Sequence, residues 1–542
     1  MKNNVSQNRV FLCVLDGWGV AQNYHNYSAI IRGNTPNYDQ MVEEYPNTLL
    51  VASENEVGLP KKQFGNSEVG HLNIGAGRIV DQDLIRINKS IMSGDLKKNK
   101  KLQNLKNNCK RIHIVGLVSD GGVHGHIDHL VEILKILNSD SNEIFIHCIT
   151  DGRDAPPTDG KNHLKNLTEI IENINNASIS SISGRYYCMD RDNRWDRTEI
   201  AYRAIVEGKC VREYSNPLKM IEKSYDESLT DEFLPPCISE EYKGFEKNDG
   251  FIITNFRADR VRQFLTALCD ADFSIFEREK KVELSEQLGL IQYSKRLDKI
   301  LDSVFGSTLV SNTLGKIISE HGLNQLRIAE TEKYAHVTYF FNGGAEEKYD
   351  REDRIVIPSP RVKTYDLIPE MSCYKLTEKV STLIQKKHYE FILLNFANPD
   401  MVGHTGNLDA TIKAVEAVDK CLGKIHKLCN EFNYTLVVTA DHGNADLMFD
   451  KENNSICTTH SLNPVPLIVC KQGLNLNKGI LADIAPTVLD LMKINKPLDM
   501  TGQSRIFAQR EQMALLKVLM EILKSKQKVR LFNRGGIAQS VL

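Results

Sequence analysis

Six residues toward the two ends of the chain have the side-chain types of a metal centre. Asp400 and His404 lie four apart in Asn398-Pro399-Asp400-Met401-Val402-Gly403-His404. On a helical turn that spacing puts both side chains on one face. Asp441 and His442 are adjacent and follow an apolar run. At a sharp turn such a pair can address two different ions. His460 follows in Thr458-Thr459-His460-Ser461, and Asp16 closes the first apolar run. Carboxylate oxygens and imidazole nitrogens suit Mn²⁺, Zn²⁺, Mg²⁺ or Co²⁺. No cysteine joins the set, which argues against a structural zinc site. Taken singly, each residue has a plainer use: an Asp-Gly after a strand makes a turn, and an Asp-His pair makes a hydrogen bond. Three Asp and three His, all at the ends of apolar runs, point instead to a two-metal site.

A serine could supply the nucleophile. Ser67 stands in Phe64-Gly65-Asn66-Ser67-Glu68-Val69-Gly70-His71, ahead of an expected helix. Free N–H groups and the dipole at a helix start favour a bound phosphate. Viewed alone, the serine reads as the N-cap of that helix. A divalent ion beside it would make it an alkoxide nucleophile. The segment lacks the G-x-S-x-G order of an α/β-hydrolase elbow. Between about residues 120 and 262 the polar motifs change character and become rich in arginine. They include Asp151-Gly152-Arg153-Asp154, Ser183-Gly184-Arg185, then Arg191, Arg194 and Arg197, and finally Asn255-Phe256-Arg257-Ala258-Asp259-Arg260. Arginine's planar fork matches carboxylate and phosphate, so the cluster implies a small, highly anionic ligand. Asp190, Asp192, Asp196 and Asp259 are interleaved, so some of these arginines could serve only as salt-bridge partners. Tyr186, Tyr187 and Trp195 do not alternate with basic residues as a nucleic-acid stacking platform would.

The elements that must position these groups are legible as short apolar runs. They span residues 10–15, 112–118, 144–150, 251–254, 391–395 and 435–439, and polar turns follow nearly all of them. Amphipathic helical stretches such as 408–427 lie between. Strand, polar loop, helix is the pattern of an α/β fold, whose ligand sites gather at the carboxyl ends of parallel strands. The Asp/His motifs at both ends and the Arg motifs between them predict a discontinuous metal-binding domain with a second α/β domain inserted. The expected spans are 1–79 with 312–510, and 80–311, with hinges at 75–81 and 306–312. Residues 277–302 are strongly charged and helical in pattern, which predicts a solvated surface helix in preference to a part of the second hinge. Apolar residues at helical spacing (Met513, Leu516, Met520, Leu523) predict a C-terminal helical extension over 511–542.

Composition narrows the class. The 542 residues carry 68 Lys+Arg against 70 Asp+Glu, a net charge of −2, which excludes a general nucleic-acid or membrane-surface binder. Hydrophobic residues at 41% exclude a mainly disordered chain. The 12 cysteines show no paired spacing, read as reduced core thiols, and point to the cytoplasm. The first apolar run is too short for a signal peptide, and no run is long enough to cross a membrane.

Taken together, the motifs closely resemble those of the 2,3-bisphosphoglycerate-independent phosphoglycerate mutase family, within the alkaline phosphatase superfamily. The resemblance rests on Leu15-Asp16-Gly17-Trp18-Gly19, on Gly65 to Asn73, on Ser119-Asp120-Gly121-Gly122-Val123-His124 and on Thr150 to Asp154. It rests further on the run Ala329-Glu330-Thr331-Glu332-Lys333-Tyr334-Ala335-His336-Val337-Thr338, on Asn398 to Gly406 and on Thr439 to Asn444. It extends over about residues 8–505. It implies an alkaline-phosphatase-like three-layer domain with the inserted domain as the transferase unit. It implies one Mn²⁺ on Asp400, His404 and His460, and a second on Asp16, Ser67, Asp441 and His442. Ser67 would be the nucleophile, Asp154 the general base, and Lys333 a charge partner of the reaction. His124, Arg153, Asp154, Arg185, Arg191, Arg257, Arg260 and Lys333 would hold 3-phosphoglycerate or 2-phosphoglycerate, with no 2,3-bisphosphoglycerate cofactor, in a monomeric cytoplasmic enzyme of glycolysis and gluconeogenesis. Ser461 stands where that family commonly has Thr. The nearest alternative is a metal-dependent phosphomonoesterase, which would need Ser67 and the metals but no arginine cluster. A sulfatase is disfavoured because no Cys-x-Pro-x-Arg occurs, and a phosphopentomutase because of the Arg-rich segment and the 329–338 run. A catalytically dead scaffold fits poorly with a complete ligand set.

Overall fold

The structure is a computed structural model that describes residues 8–22, 25–174, 176–306, 309–386, 388–451 and 453–508. The chain forms two compact units, residues 1–81 with 308–542 and residues 82–307. The expected extension at 511–542 lies outside the described residues.

The first unit is built on a sheet of eight strands in the order Glu352–Ile357, Gln325–Glu330, Phe391–Phe396, Arg9–Leu15, Tyr434–Thr439, Val465–Val469, Asn47–Val51, Gly479–Ile480. Its first five strands are mutually parallel. The central strand explains the arrangement. Val10 to Leu15 are all fully buried, and the strand pairs on both edges. A strand apolar on both faces needs cover on both faces. Each such side chain contributes roughly 1.5–3 kcal/mol of burial, as an upper estimate. The helix Leu408–Glu431 supplies part of that cover and packs on Cys373–Gln385.

The second unit has its own sheet of eight strands, in the order Asp302–Ser303, Glu286–Gly289, Gly250–Ile253, Arg111–Leu117, Glu143–Thr150, Ala177–Gly184, Cys237–Ser239, Arg212–Tyr214. Its first six strands are mutually parallel. Each of the six expected strands is present within one residue or so of its predicted ends, and the helix expected over 408–427 starts at Leu408 and runs four residues further, to Glu431.

The charged segment 277–302 is not a helix, contrary to the sequence-based expectation. It contains the strand Glu286–Gly289, a single 3-10 turn at Leu297–Lys299 and the strand Asp302–Ser303. Leu288 and Leu290 are buried, and Gly250–Ile253 pairs with Glu286–Gly289 in parallel register. An open sheet edge outweighed local helical patterning, as tertiary pairing often does in short charged segments.

Candidate active site

In the first unit, four neighbouring parallel strands end at the residues singled out above. Arg9–Leu15 leads to Asp16, Phe391–Phe396 to Asp400, Tyr434–Thr439 to Asp441 and His442, and Gln325–Glu330 to Lys333. Gly17 turns the chain away at φ +75°, and a Cβ there would lie 2.8 Å from the Asp400 backbone. Only glycine allows that approach. Asp400 and His404 do share a helical face, with Asp400 Oδ1 3.2 Å from His404 Nε2.

Ser67 is the first residue of the helix Ser67–Ala76, and its cap is Asn66, whose side chain accepts from the Val69 N–H at 2.9 Å. The capping role expected of the serine is therefore filled by its neighbour, and the Ser67 hydroxyl is free for other work. Ser67 Oγ lies 3.1 Å from Asp16 Oδ1 and 3.0 Å from His442 Nε2, and accepts from Lys333 Nζ at 2.7 Å. The buried Lys333 ammonium also donates to Asp16 Oδ1 and Asp400 Oδ2, each at 2.6 Å. All three of its protons are thereby engaged.

The electrostatics follow from that geometry. Burial by itself would raise the Asp16 and Asp400 carboxyls, but Lys333 and the nearby histidines hold both far below the usual carboxylate range. Burial would lower the Lys333 ammonium, but Asp16, Asp400 and Asp441 push it well above its ordinary value. Burial would also lower His442, but Asp441, Asp16 and Asp400 raise it to about 9. A hydrogen bond to Asp400 raises His404.

Three histidines have the ring orientation that a metal ligand needs. His404 Nδ1 bonds the Thr458 carbonyl at 2.7 Å, His460 Nδ1 the Gly65 carbonyl at 2.8 Å, and His442 Nδ1 approaches the Gly443 carbonyl at 3.3 Å. With Nδ1 on or near a carbonyl oxygen, each ring turns Nε2 toward the Asp carboxylates, the orientation that metal-ligating histidines adopt. Two donor groups result, Asp400 with His442 and His460, and Asp16 with Asp441 and His442. Asp441 Oδ2 is buried and accepts no hydrogen bond. This oxygen and nitrogen donor set fits divalent cations. His442 takes part in both groups, whereas His404 reaches the first through Asp400 Oδ1 and through His460 Nε2 at 3.1 Å.

The second unit repeats the pattern with the opposite charge. Four neighbouring parallel strands, Gly250–Ile253, Arg111–Leu117, Glu143–Thr150 and Ala177–Gly184, end just before the Arg-bearing loops or the loop of His124. A cavity of about 230 Å³ is lined by Arg153, Arg185, Arg191, Arg197 and Arg260, with Glu232 among the acidic residues. Burial and the charges of Arg185, Arg191 and Arg153 lower the Arg260 guanidinium, which shows how closely the cations crowd. Arg185 is buried and its Nη1 donates to Asp151 Oδ1 at 2.6 Å and to Asp154 Oδ2 at 2.5 Å. His124 Nε2 faces Asp154 Oδ2 at 3.9 Å. Burial, then Arg185, brings His124 down to about 4, so it is neutral near pH 7. Arg257 lies beside Asp259, 3.2 Å from Nε to Oδ1. The salt-bridge use foreseen for part of the cluster is also present, since Arg197 pairs with Asp190 at 3.2 Å.

Several residues at these sites were not assigned from sequence. His71 Nδ1 lies 3.2 Å from Asp441 Oδ2 and bonds the Ser67 carbonyl, while Asn395 donates to Asp16 Oδ2 at 2.7 Å and Asn444 to Asp400 Oδ1 at 2.9 Å. Asp151 clamps Arg185. His71, Asn444 and Asp151 stand inside the quoted motifs, and Asn395 closes a predicted strand, so position was the available signal.

Comparison with known proteins agrees with this geometry. The family model described as Metalloenzyme superfamily matches residues 8–496. The 2,3-bisphosphoglycerate-independent phosphoglycerate mutase of Ehrlichia ruminantium (strain Gardel) is 46% identical over 508 residues, covering 93% of this chain and 99% of the relative. The chain belongs to the 2,3-bisphosphoglycerate-independent phosphoglycerate mutase family. A second mutase of that name, from Clostridioides difficile (strain 630), is 47% identical over 509 residues, covering 92% of this chain and 99% of the relative. Among solved structures, the phosphoglycerate mutase of Leishmania mexicana, crystallised at low cobalt concentration, is similar with a TM-score of 0.65 and 30% identity, covering 94% of this chain and 99% of the other. The mutase family thus accounts for both units, including the arginine-bearing one that a simple phosphatase would not need.

Proposed function

We infer that the protein is an isomerase that interconverts 3-phosphoglycerate and 2-phosphoglycerate without 2,3-bisphosphoglycerate. The observation that carries the mechanistic reading is Ser67 Oγ, uncommitted to capping and held among Lys333, Asp16 and His442. We assign the metal ligands as Asp400, His404 and His460 for one ion and Asp16, Ser67, Asp441 and His442 for the other, with Mn²⁺ as the resident metal. Bound there, the ions would supply positive charge opposite the phosphate and lower the pKa of the Ser67 hydroxyl.

The chain's own residues then divide the work. Ser67 Oγ, as the alkoxide, attacks phosphorus in line, the bond from phosphorus to the substrate's C3 oxygen breaks, and that oxygen takes a proton from Asp154 as glycerate forms. Lys333 offsets charge on the phosphate and on the leaving oxygen. Arg153, Arg185, Arg191, Arg257 and Arg260, with His124, retain glycerate through its carboxylate and hydroxyls. Asp154 takes the proton of the 2-hydroxyl as that oxygen attacks phosphoserine, and Ser67 is released. Two successive displacements predict overall retention at phosphorus. Water must be kept from phosphoserine, or the outcome is phosphate release.

The substrate places the enzyme in glycolysis and gluconeogenesis. Twelve free cysteines support a cytoplasmic location, and no described helix is long and apolar enough to cross a membrane. We assign a monomer as the working unit, with no nucleic-acid or membrane partner.

The decisive assay follows 3-phosphoglycerate with added Mn²⁺ and no 2,3-bisphosphoglycerate. Wild type is expected to form 2-phosphoglycerate, and Ser67→Ala to lose activity by roughly 10⁴-fold or more. Release of inorganic phosphate by wild type would favour the phosphomonoesterase instead.

A further inference from the structure

Asp259 has no role in the reading above, yet three side chains of the arginine-bearing site converge on its carboxylate. Oδ2 accepts from Arg191 Nη1 at 2.9 Å, and Oδ1 lies 3.2 Å from Arg257 Nε and 3.6 Å from His124 Nδ1. The other face of the imidazole is turned to Asp154, with Nε2 3.9 Å from Oδ2. His124 Nδ1 and Asp259 Oδ1 are both buried and neither has a hydrogen-bond partner, so each is the unsatisfied polar atom that the other faces at 3.6 Å.

A neutral imidazole has one N–H to place, and two carboxylates flank this one. The partner of one nitrogen decides the tautomer and therefore what the other nitrogen offers. Nδ1 is buried and faces Asp259 Oδ1 at 3.6 Å, so a lone pair there would meet a carboxylate. Asp259 also keeps its charge. Burial would raise its carboxyl, but Arg257 and Arg191 hold it below the usual range. Asp154, in contrast, gains and loses a proton during turnover in the mechanism above. When protonated, it can donate to a bare Nε2. The tautomer with hydrogen on Nδ1 suits the constantly charged Asp259 and the protonated state of Asp154, while ionised Asp154 stands off at the longer of the two separations, 3.9 Å against 3.6 Å.

We propose that Asp259 is a positioning residue of the substrate site: its carboxylate holds His124 as the Nδ1–H tautomer and braces Arg191 and Arg257, so that a bare Nε2 faces Asp154 and the bound glycerate. This rests on the mutase reading and deepens it. His124 Nε2 then accepts a hydrogen bond from a substrate hydroxyl or from protonated Asp154. Arg191 and Arg257, both well exposed, gain a fixed direction from one shared counter-ion.

The test combines spectroscopy and kinetics on the full-length protein loaded with diamagnetic Mg²⁺. Histidine labelled with ¹⁵N reports the tautomer of each ring, and the signal lost in His124→Gln identifies His124. Wild type is expected to show the Nδ1–H form. In Asp259→Asn the amide can turn its NH₂ toward Nδ1, and the ring is expected to switch to Nε2–H. The kcat is expected to fall by about 10–100-fold, the range for losing a partner that orients a functional histidine. KM is expected to rise as the two arginines loosen, and Asp259→Glu to recover part of kcat. An Nε2–H tautomer in wild type overturns the proposal without any variant. A kcat in Asp259→Asn within about twofold of wild type also overturns it. If His124→Gln is impaired while Asp259→Asn is not, only the role of Asp259 falls. If His124→Gln is fully active, the assignment of His124 falls too.

Discussion

The two units place their chemistry in the same way and fill it with opposite charge. Each carries its site beyond the carboxyl ends of four neighbouring parallel strands. In one, three carboxylates and three histidines surround a single ammonium, Lys333. In the other, five arginines line a cavity and the carboxylates of Asp151, Asp154 and Asp259 provide the counter-charge. The strand ends supply a location where loops converge, and the side chains decide what is bound there. A site for cations must gather deprotonated ligands, so its like charges need an internal cation. A site for a small polyanion must gather cations, so its arginines need internal carboxylates. Both bury charge of the minority sign, Lys333 in one and Asp151 and Asp190 in the other.

The largest predicted effect breaks the acidic site alone. His442→Ala removes the imidazole that takes part in both donor groups, and activity is expected to fall by roughly 10³-fold or more, together with loss of bound metal. Metal analysis checks it, and full metal content with full activity would remove the site as drawn. Chelation of wild type should mimic it and be reversed by Mn²⁺. Next comes the basic site. Arg185→Lys keeps the charge but not the planar guanidinium, whose Nη1 holds both Asp151 and Asp154 and whose other nitrogens are left for an anion, and kcat/KM is expected to fall by about 10²-fold while metal content stays the same. If metal content fell with it, the independence of the two sites would fail.

A smaller effect concerns acid stability and separates the units by sign. In the arginine-bearing unit, burial lowers His113, His147, His129 and His124 alike. His113 and His147 form a buried chain from Asp249 to Ser181, with links of 2.9, 3.0 and 2.8 Å. Because these rings resist protons when folded, the unfolded chain binds more of them below its own histidine range. The stability they confer is complete above about pH 6.5 and is lost as the pH falls from there, by up to about 1.4 kcal/mol per pH unit for each buried ring. In the metal-binding unit the shifts oppose one another, since His442 and His404 are raised while His336 and His426 are lowered. The chain has 2 tryptophans, Trp18 in one unit and Trp195 in the other, so Trp18→Phe and Trp195→Phe give each unit its own fluorescence. Denaturation of the chelated protein at pH 5 and pH 7 should show a large loss for the unit of Trp195 and a small change for that of Trp18. Equal losses would contradict the contrast. The smallest effect is the control: Lys247→Ala cuts a fully exposed pair with Glu283 and should leave both melting transitions unmoved.

The sequence by itself determined the chemistry and the grammar of the fold. Apolar runs of strand length, each followed by a polar loop, marked the strands whose ends carry the sites, because a strand covered on both faces must be apolar throughout. The Asp/His and Arg motifs separated by chain position because each kind of site needs like groups together. Local pattern failed where a long-range partner decided the outcome. Residues 277–302 look helical by charge and periodicity but pair as edge strands of a sheet. Ser67 has the look of a cap, and only the Asn66 side chain on Val69 shows that it is not one. Lys333 and Asp16 are 317 residues apart, and no periodicity could announce their 2.6 Å contact. Nor could spacing reveal that Asp259 meets His124, Arg191 and Arg257 at one carboxylate. Such contacts depend on strand order and on loop paths at the strand ends. The tertiary structure decides these by packing whole elements, while the sequence records only what each element brings.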